Sequence, residues 1–284
     1  MQGVTRQDGR LFDQLRPLNI QYDAYGYADA SVLLEQGGTI VLASITLQQG
    51  VPPFLKGQRV GWLNAEYAML PAATHQRTSR ESTQHARNAR SVEISRLIGR
   101  CLRPTVELDA IGEKTIVVDC DVLQADGGTR VASITAASLA LKLAAQRWVE
   151  HRVFEKNIFK EQIAAISTGV IQGAVCLDLA YQEDSQADAD FNFVMTRSGL
   201  LVEVQGTCEK SPLAWASFDQ LKALATQGIQ DIFTTIDAQQ QTGFCDSVQG
   251  ATSVQSPVTS RDQGVTTSGK PPLFSLGNRL KNPS

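Results

Sequence analysis

Two glycines, a threonine and an arginine, Gly127-Gly128-Thr129-Arg130, join an alternating apolar run to a long alanine-rich one. A helix that begins at Thr129 directs its free N–H groups and the positive end of its dipole into the turn before it, and glycines let an anion come close. Thr129 adds a hydroxyl, and Arg130 adds a planar guanidinium fork that matches phosphate oxygens. The same four residues also read as a tight turn followed by an ordinary N-capped helix, because Thr is a common cap. The sequence has no G-x-x-x-x-G-K-[ST], so an ATP-type phosphate loop is not supported.

Two further constellations could serve such an anion. Between Arg77 and Arg103 stand seven arginines, Arg77, Arg80, Arg87, Arg90, Arg96, Arg100 and Arg103, with no lysine and only two acids, Glu81 and Glu93. Guanidinium groups bind phosphates in pairs and stack on bases, which suits a local nucleic-acid track; a solvated helix face or subunit contacts would use the same residues. The second is "YQEDSQADADFNFVMT", where Glu183, Asp184, Asp188 and Asp190 crowd one short segment. Read alone it is a polar loop. Beside a phosphate, such carboxylates can hold magnesium through oxygen or pass a proton to a leaving oxygen.

Composition narrows the classes. The chain of 284 residues is 42% hydrophobic, enough for a substantial core, and its net charge of −3 excludes a globally basic nucleic-acid coat. Five scattered cysteines with no C-x-x-C argue against a disulfide framework or a structural zinc site and suit a reducing cytosol. Three dispersed histidines with no H-E-x-x-H leave histidine chemistry in the background. The amino terminus lacks an apolar signal region and no apolar run is long enough for a membrane span, so a cytoplasmic protein is expected.

The elements that must position these groups follow from periodicity. "SVLLEQ" and "TIVLASITL" flank Gly37-Gly38 as a hairpin whose two glycines supply the turn. Val51 to Thr74 shows no clean period and reads as irregular or short-stranded. Ile94, Leu97, Ile98 and Cys101 make one face of a helix over 87–101, and "KTIVVDCDVL" alternates as a strand. After the turn, Val131, Ile134, Ser138, Leu141 and Ala145 keep helical spacing. Four more apolar runs follow, then a helix over 217–237 with Ser217 and Gln220 as a capping box. Strands followed by a helix occur twice, which suggests two related halves. Beyond Ala238 the composition turns to Gln, Ser, Thr, Gly and Pro, so residues 1–238 are expected to form the folded domain and 239–284 a disordered low-complexity tail.

In this order the segments resemble the ribonuclease PH family, bacterial exoribonucleases that use inorganic phosphate to cut RNA from its 3′ end. The resemblance runs from about Arg6 to Ala238 and rests on "RQDGR", "GWLNAEYAMLP", "EISRLIGRCLR", "VDCDVLQADGGTR", "EDSQADADFNFVMT" and "VEVQGT". It implies a phosphate co-substrate bound by Arg90, Gly128, Thr129 and Arg130, with Asp184 and Asp190 binding Mg²⁺ or moving a proton. It also implies RNA contacts through Arg77 and Arg80, although Ala72 and Ser79 stand where the family commonly has arginine. The implied fold is α+β, two related βαβ-type halves of the ribosomal protein S5 domain 2-like kind, assembled as a hexameric homo-oligomer, a ring of three dimers. The family's usual substrate is precursor tRNA, which no residue here identifies. A catalytically inactive RNA-binding ring or scaffold subunit of the same fold is the alternative, and retention of both arginines and both aspartates favours the enzyme.

Overall fold

The first hairpin joins β2 (Ala30–Gln36) to β3 (Thr39–Gln49), as its glycine pair predicts, but the two glycines act differently. Gly37 takes a positive φ of 56°, whereas at Gly38 an added Cβ would lie 2.7 Å from Asp126 Oδ2. The second glycine is therefore needed for close approach to the Asp126 turn. A computed structural model describes residues 6, 8–81 and 88–249 of the chain; Arg87 lies outside them.

The hairpin belongs to a five-stranded sheet ordered β1-β2-β3-β5-β4, with β1 at Leu18–Tyr22, β4 at Trp62–Met69 and β5 at Lys114–Gln124. All neighbours are antiparallel except β4 and β5, which run parallel and are linked by α1 (Ala89–Leu102) and the short α2 (Leu108–Ile111). A parallel pair requires such a crossover. β4 falls inside the stretch expected to be irregular or short-stranded, and it is a strand of eight residues. Leu63, Ala65 and Tyr67 alternate inward there, and the period is masked by a small Ala and by Trp62 on the outer face.

A second sheet, ordered β7-β6-β8-β9, is antiparallel throughout: β6 (Ile163–Ile171), β7 (Ala174–Leu177), β8 (Ala189–Thr196) and β9 (Leu201–Cys208). The crossover thus lies in the first half, and the second half is an antiparallel arrangement followed by α5 (Trp215–Gln249). Between β7 and β8 sits the four-residue α4 (Tyr181–Asp184).

One helix serves both halves. α3 (Thr129–Glu150) packs against β2, β3 and β5 on one side and β6 and β8 on the other. Its alanines let both sheets approach closely, and it is buried on most sides rather than along one stripe. Ile134, Leu139 and Leu141 are buried here, each stabilising by about 1.5–3 kcal/mol relative to exposure. The buried hydroxyls of Thr135 and Ser138 each accept a bond at 3.0 Å, from the N–H of Ala165 and of Ile163, which fixes the helix axially against β6.

α5 corrects two expectations. It starts before Ser217, whose N–H already donates to the Ala214 carbonyl, so Ser217 is not its cap. It also continues past Ala238 as far as Gln249, so the tail expected from 239 does not begin there. The Gln239 amide donates to the Leu18 carbonyl at 2.6 Å and its oxygen accepts from the Ile20 N–H at 3.0 Å, while Gln240 reaches the Tyr22 hydroxyl. These glutamines are edge partners of β1, which composition alone reads as tail. Residues 250–284 lie outside the described residues.

Candidate active site

The junction between β5 and α3 leaves the first turn of a long helix open at its N-terminus. Gly127 and Gly128 have φ of 75° and 66°, and Gly128, not Thr129, is the N-cap of α3, with no side chain capping the first turn. An added Cβ on Gly127 would stand 2.6 Å from the Leu179 carbonyl oxygen, so the turn lies directly on the segment that leads into α4. Asp126 strengthens that seam, its Oδ1 accepting from the Tyr181 N–H at 3.3 Å. Thr129 occupies the first helical position, where its Oγ1 accepts from the Tyr67 hydroxyl at 2.9 Å. Tyr67 comes from β4, in the stretch where the sequence shows no clean period to mark it.

Cations reach this point from two helices. Arg130, in the first turn of α3, donates to Gln205 Oε1 at 3.3 Å and lies 3.7 Å from Glu93 Oε1. Arg90 enters from the first turn of α1, which is capped by Asn88, whose Oδ1 accepts from the Arg90 N–H at 3.0 Å. Burial pushes the Tyr67 phenol up, and both Arg90 and Arg130 pull it back, so both guanidinium groups lie within electrostatic reach of the hydroxyl that touches Thr129.

The carboxylates complete the cluster. Asp184 ends α4 and remains exposed, yet the protein around its carboxyl raises its pKa, against the pull of Arg130 and Arg90. Asp190 lies on β8 opposite Thr207 of β9 and Gly169 of β6. Burial and the neighbouring Asp184 carboxylate push Asp190 up to about 6, and its Oδ1 is buried without a hydrogen-bond partner. Glu209, which sequence reasoning missed, adds negative charge toward both aspartates.

An orphaned buried carboxylate oxygen beside a second, repelling carboxylate fits a divalent cation, which would satisfy the one and neutralise the other. Among the described residues no group of three or more His, Cys, Asp or Glu converges as a metal cluster. Mg²⁺ commonly takes one or two carboxylates and completes its shell with water and substrate oxygens, so Asp184 and Asp190 are a donor set it could use. Arg130, Thr129, Arg90, Asp184 and Asp190 are thus brought together, from β5–α3, α1, α4 and β8.

The arginine-rich run is only partly available to a ligand. Arg100 pairs with Glu203 at 2.8 Å, and Arg103 stacks over Trp62 at 4.3 Å while donating to the Leu63 carbonyl. Those two arginines tie α1 to its own sheet edges, so the continuous track expected from the count is reduced. Arg77 and Arg80 are exposed on the segment after β4, whose His75 ring lies 6.1 Å from the Tyr181 ring at the start of α4.

Residues 14–145 match the model described as "3′ exoribonuclease family, domain 1", and residues 161–228 match "3′ exoribonuclease family, domain 2". The first match ends within the last turns of α3 and the second begins just before β6, where the first sheet gives way to the second. Among solved structures, the exosome of Archaeoglobus fulgidus with RNA bound to the active site is similar with a TM-score of 0.69 and 20% identity, covering 82% of this chain and 92% of that one. Rrp46 of rice (Oryza sativa) gives a TM-score of 0.64 at 21% identity, over 81% of this chain and 99% of that one. An archaeal exosome core gives 0.65 at 22% identity, over 80% and 89%.

Proposed function

Because the chain belongs to the 3′ exoribonuclease family, we propose that it shortens RNA from the 3′ end by phosphorolysis, with inorganic phosphate as the attacking co-substrate. The observation that carries this reading is the meeting of an uncapped helix N-terminus and two arginines with two pKa-raised carboxylates.

Attack of one anion on another is electrostatically opposed, so donors must be in place before the reactants meet. In the proposal Arg90, Arg130, the Thr129 hydroxyl and the amides at Gly127, Gly128 and Thr129 hold the orthophosphate. One of its oxygens bonds to the phosphorus of the last phosphodiester, and the bond from that phosphorus to the preceding 3′ oxygen breaks. The products are a nucleoside diphosphate and an RNA shorter by one residue. The 3′ oxygen leaves with a proton supplied from water. Bound Mg²⁺, held by Asp184 and Asp190, would offset charge on the scissile phosphate and the leaving oxygen. The bonds exchanged are similar, so nucleotide addition from diphosphates is expected to run as well.

The substrate is read as the 3′ extension of precursor tRNA, handled by a ring of six copies. Exposed Leu201, Val204 and Trp215, on or near edge strand β9, supply apolar surface for such assembly. Arg77 and Arg80 are assigned to RNA contact. The site of action is read as the cytoplasm; among the described residues no helix is long and apolar enough to cross a membrane.

A tRNA carrying a 3′ extension, incubated with the protein and Mg²⁺ with and without phosphate, tests the reading. Phosphate-dependent release of nucleoside diphosphates is expected. Release of monophosphates would mean that water is the nucleophile, and RNA binding without any release would identify an inactive ring subunit.

A further inference from the structure

Resting on that reading, we propose that Arg16 is a positioning residue whose guanidinium, locked by buried Asp178, aims the N–H groups of Gly127 and Gly128 into the phosphate cradle. Arg16 precedes β1, and its side chain is only 4% exposed. It lies between two glycines: an added Cβ on Gly37 would be 2.5 Å from its Cδ, and one on Gly128 would be 3.1 Å from its Nη2. Gly37 leaves no room for a side chain on one side of it, and Gly128 sits in tight contact on the other.

The guanidinium donates through Nη1 to the Asp126 carbonyl and through Nη2, at 3.5 Å, to the Gly127 carbonyl. Thr39 Oγ1 donates to the same Gly127 carbonyl at 2.6 Å and accepts from the Asp126 N–H at 3.0 Å. In a planar trans peptide the N–H points opposite to the carbonyl of the same unit. Pinning the Asp126 and Gly127 carbonyls on the Arg16 side therefore turns the Gly127 and Gly128 N–H groups to the other side. Neither N–H has an acceptor among the described residues. Two aimed, unpartnered donors at a helix N-terminus are what an oxyanion needs.

Asp178 holds the device in place. It is fully buried at a positive φ of 53°, accepting from Arg16 Nη2 at 2.7 Å, from the Arg16 N–H at 2.8 Å and from Gln36 Nε2 at 2.9 Å. Both oxygens are used, so Arg16 has one orientation rather than several. The sequence offers "RP" at this point and no hint of a partner 162 residues away.

The test is inorganic phosphate binding to the full chain without RNA, followed by calorimetry or phosphorus NMR, together with the KM for phosphate in the RNA assay. Arg16→Lys keeps the charge but cannot span two carbonyls and a carboxylate. Thr39→Val removes the second donor to the Gly127 carbonyl with little change of shape, and Thr39→Ser restores it. Arg16→Lys and Thr39→Val are each expected to weaken phosphate binding about tenfold, as for loss of an aimed bond to a charged group, with RNA affinity unchanged and Thr39→Ser close to the parent. Folded Arg16→Lys and Thr39→Val proteins that bind phosphate as the parent does would overturn the positioning role while leaving the phosphorolysis reading intact. A parent that binds no phosphate would overturn both.

Discussion

At the scale of single residues, the proposed work falls to two exposed or loosely held cations. Arg90 is exposed, and among the described residues Arg130 meets Gln205 and Glu93 at 3.3 and 3.7 Å, so each can turn to a ligand. Replacing either by alanine is expected to lower turnover by about 10²–10³, in line with removal of one transition-state donor, with the melting temperature little changed. Steady-state rates at saturating RNA over a phosphate series check this. Asp190 behaves differently because its ionised form is disfavoured in the fold. A carboxyl with a raised folded pKa contributes stability that is present below its unfolded pKa and is lost as pH rises through about 6. Asp190→Asn is therefore expected to melt higher than the parent at pH 8, with the difference shrinking toward pH 4. Added Mg²⁺ should raise the melting temperature of the parent at pH 8 and leave that of Asp190→Asn unmoved; an equal rise in both would take Asp190 out of the metal site.

At the scale of elements, the turn before α3 and the helix α4 are held by geometry that tolerates little change. Gly128→Ala forces a positive φ on an L residue and sets its Cβ against Arg16, so a loss of about 1–3 kcal/mol is expected in urea unfolding, with weakened phosphate binding. α4 is fixed through Glu183, which accepts from Arg6 Nε and Nη2 at 2.7 Å each and from the Ala180 N–H at 2.9 Å. Glu183→Gln leaves the buried Arg6 without its counter-charge and is expected to destabilise by about 3–5 kcal/mol, measured in the same way. Much of this scaffold was legible in the sequence. The hairpin, α1, β5, α3 and the strands of the second sheet follow from apolar period and glycine placement. β4 was not, because Ala65 is too small to mark the buried side of its alternation, and with it went Tyr67. The extension of α5 was hidden because glutamines that bond a strand edge look the same in composition as glutamines in a solvated tail. Of the candidate site, the Gly-Thr-Arg turn and the two aspartates were readable in the sequence, and the fold places them near one another. Arg16, Asp178 and Glu209 were not, since their roles depend on partners far away in the chain.

At the scale of the whole molecule, a net charge of −3 means that RNA must be held by a local patch, and part of the arginine run is spent on the protein's own edges. Arg77→Ala and Arg80→Ala are each expected to reduce the slope of log affinity against log salt by about 0.7, the value for one contact to a single strand. Filter binding of a 3′-extended RNA over a salt series measures it, and unchanged slopes would assign those arginines elsewhere. The two halves share α3, which packs on both sheets, so the proposed phosphate side at its N-terminus and the carboxylate side on β8 are held to one rod. The central claim is that orthophosphate, and not water, is the nucleophile at that point. The most direct measurement is to supply phosphate labelled with heavy oxygen, together with Mg²⁺ and a 3′-extended RNA, and to weigh the released nucleotides. The account predicts nucleoside diphosphates whose terminal phosphate carries the label; unlabelled monophosphates, or RNA left at full length, would contradict it.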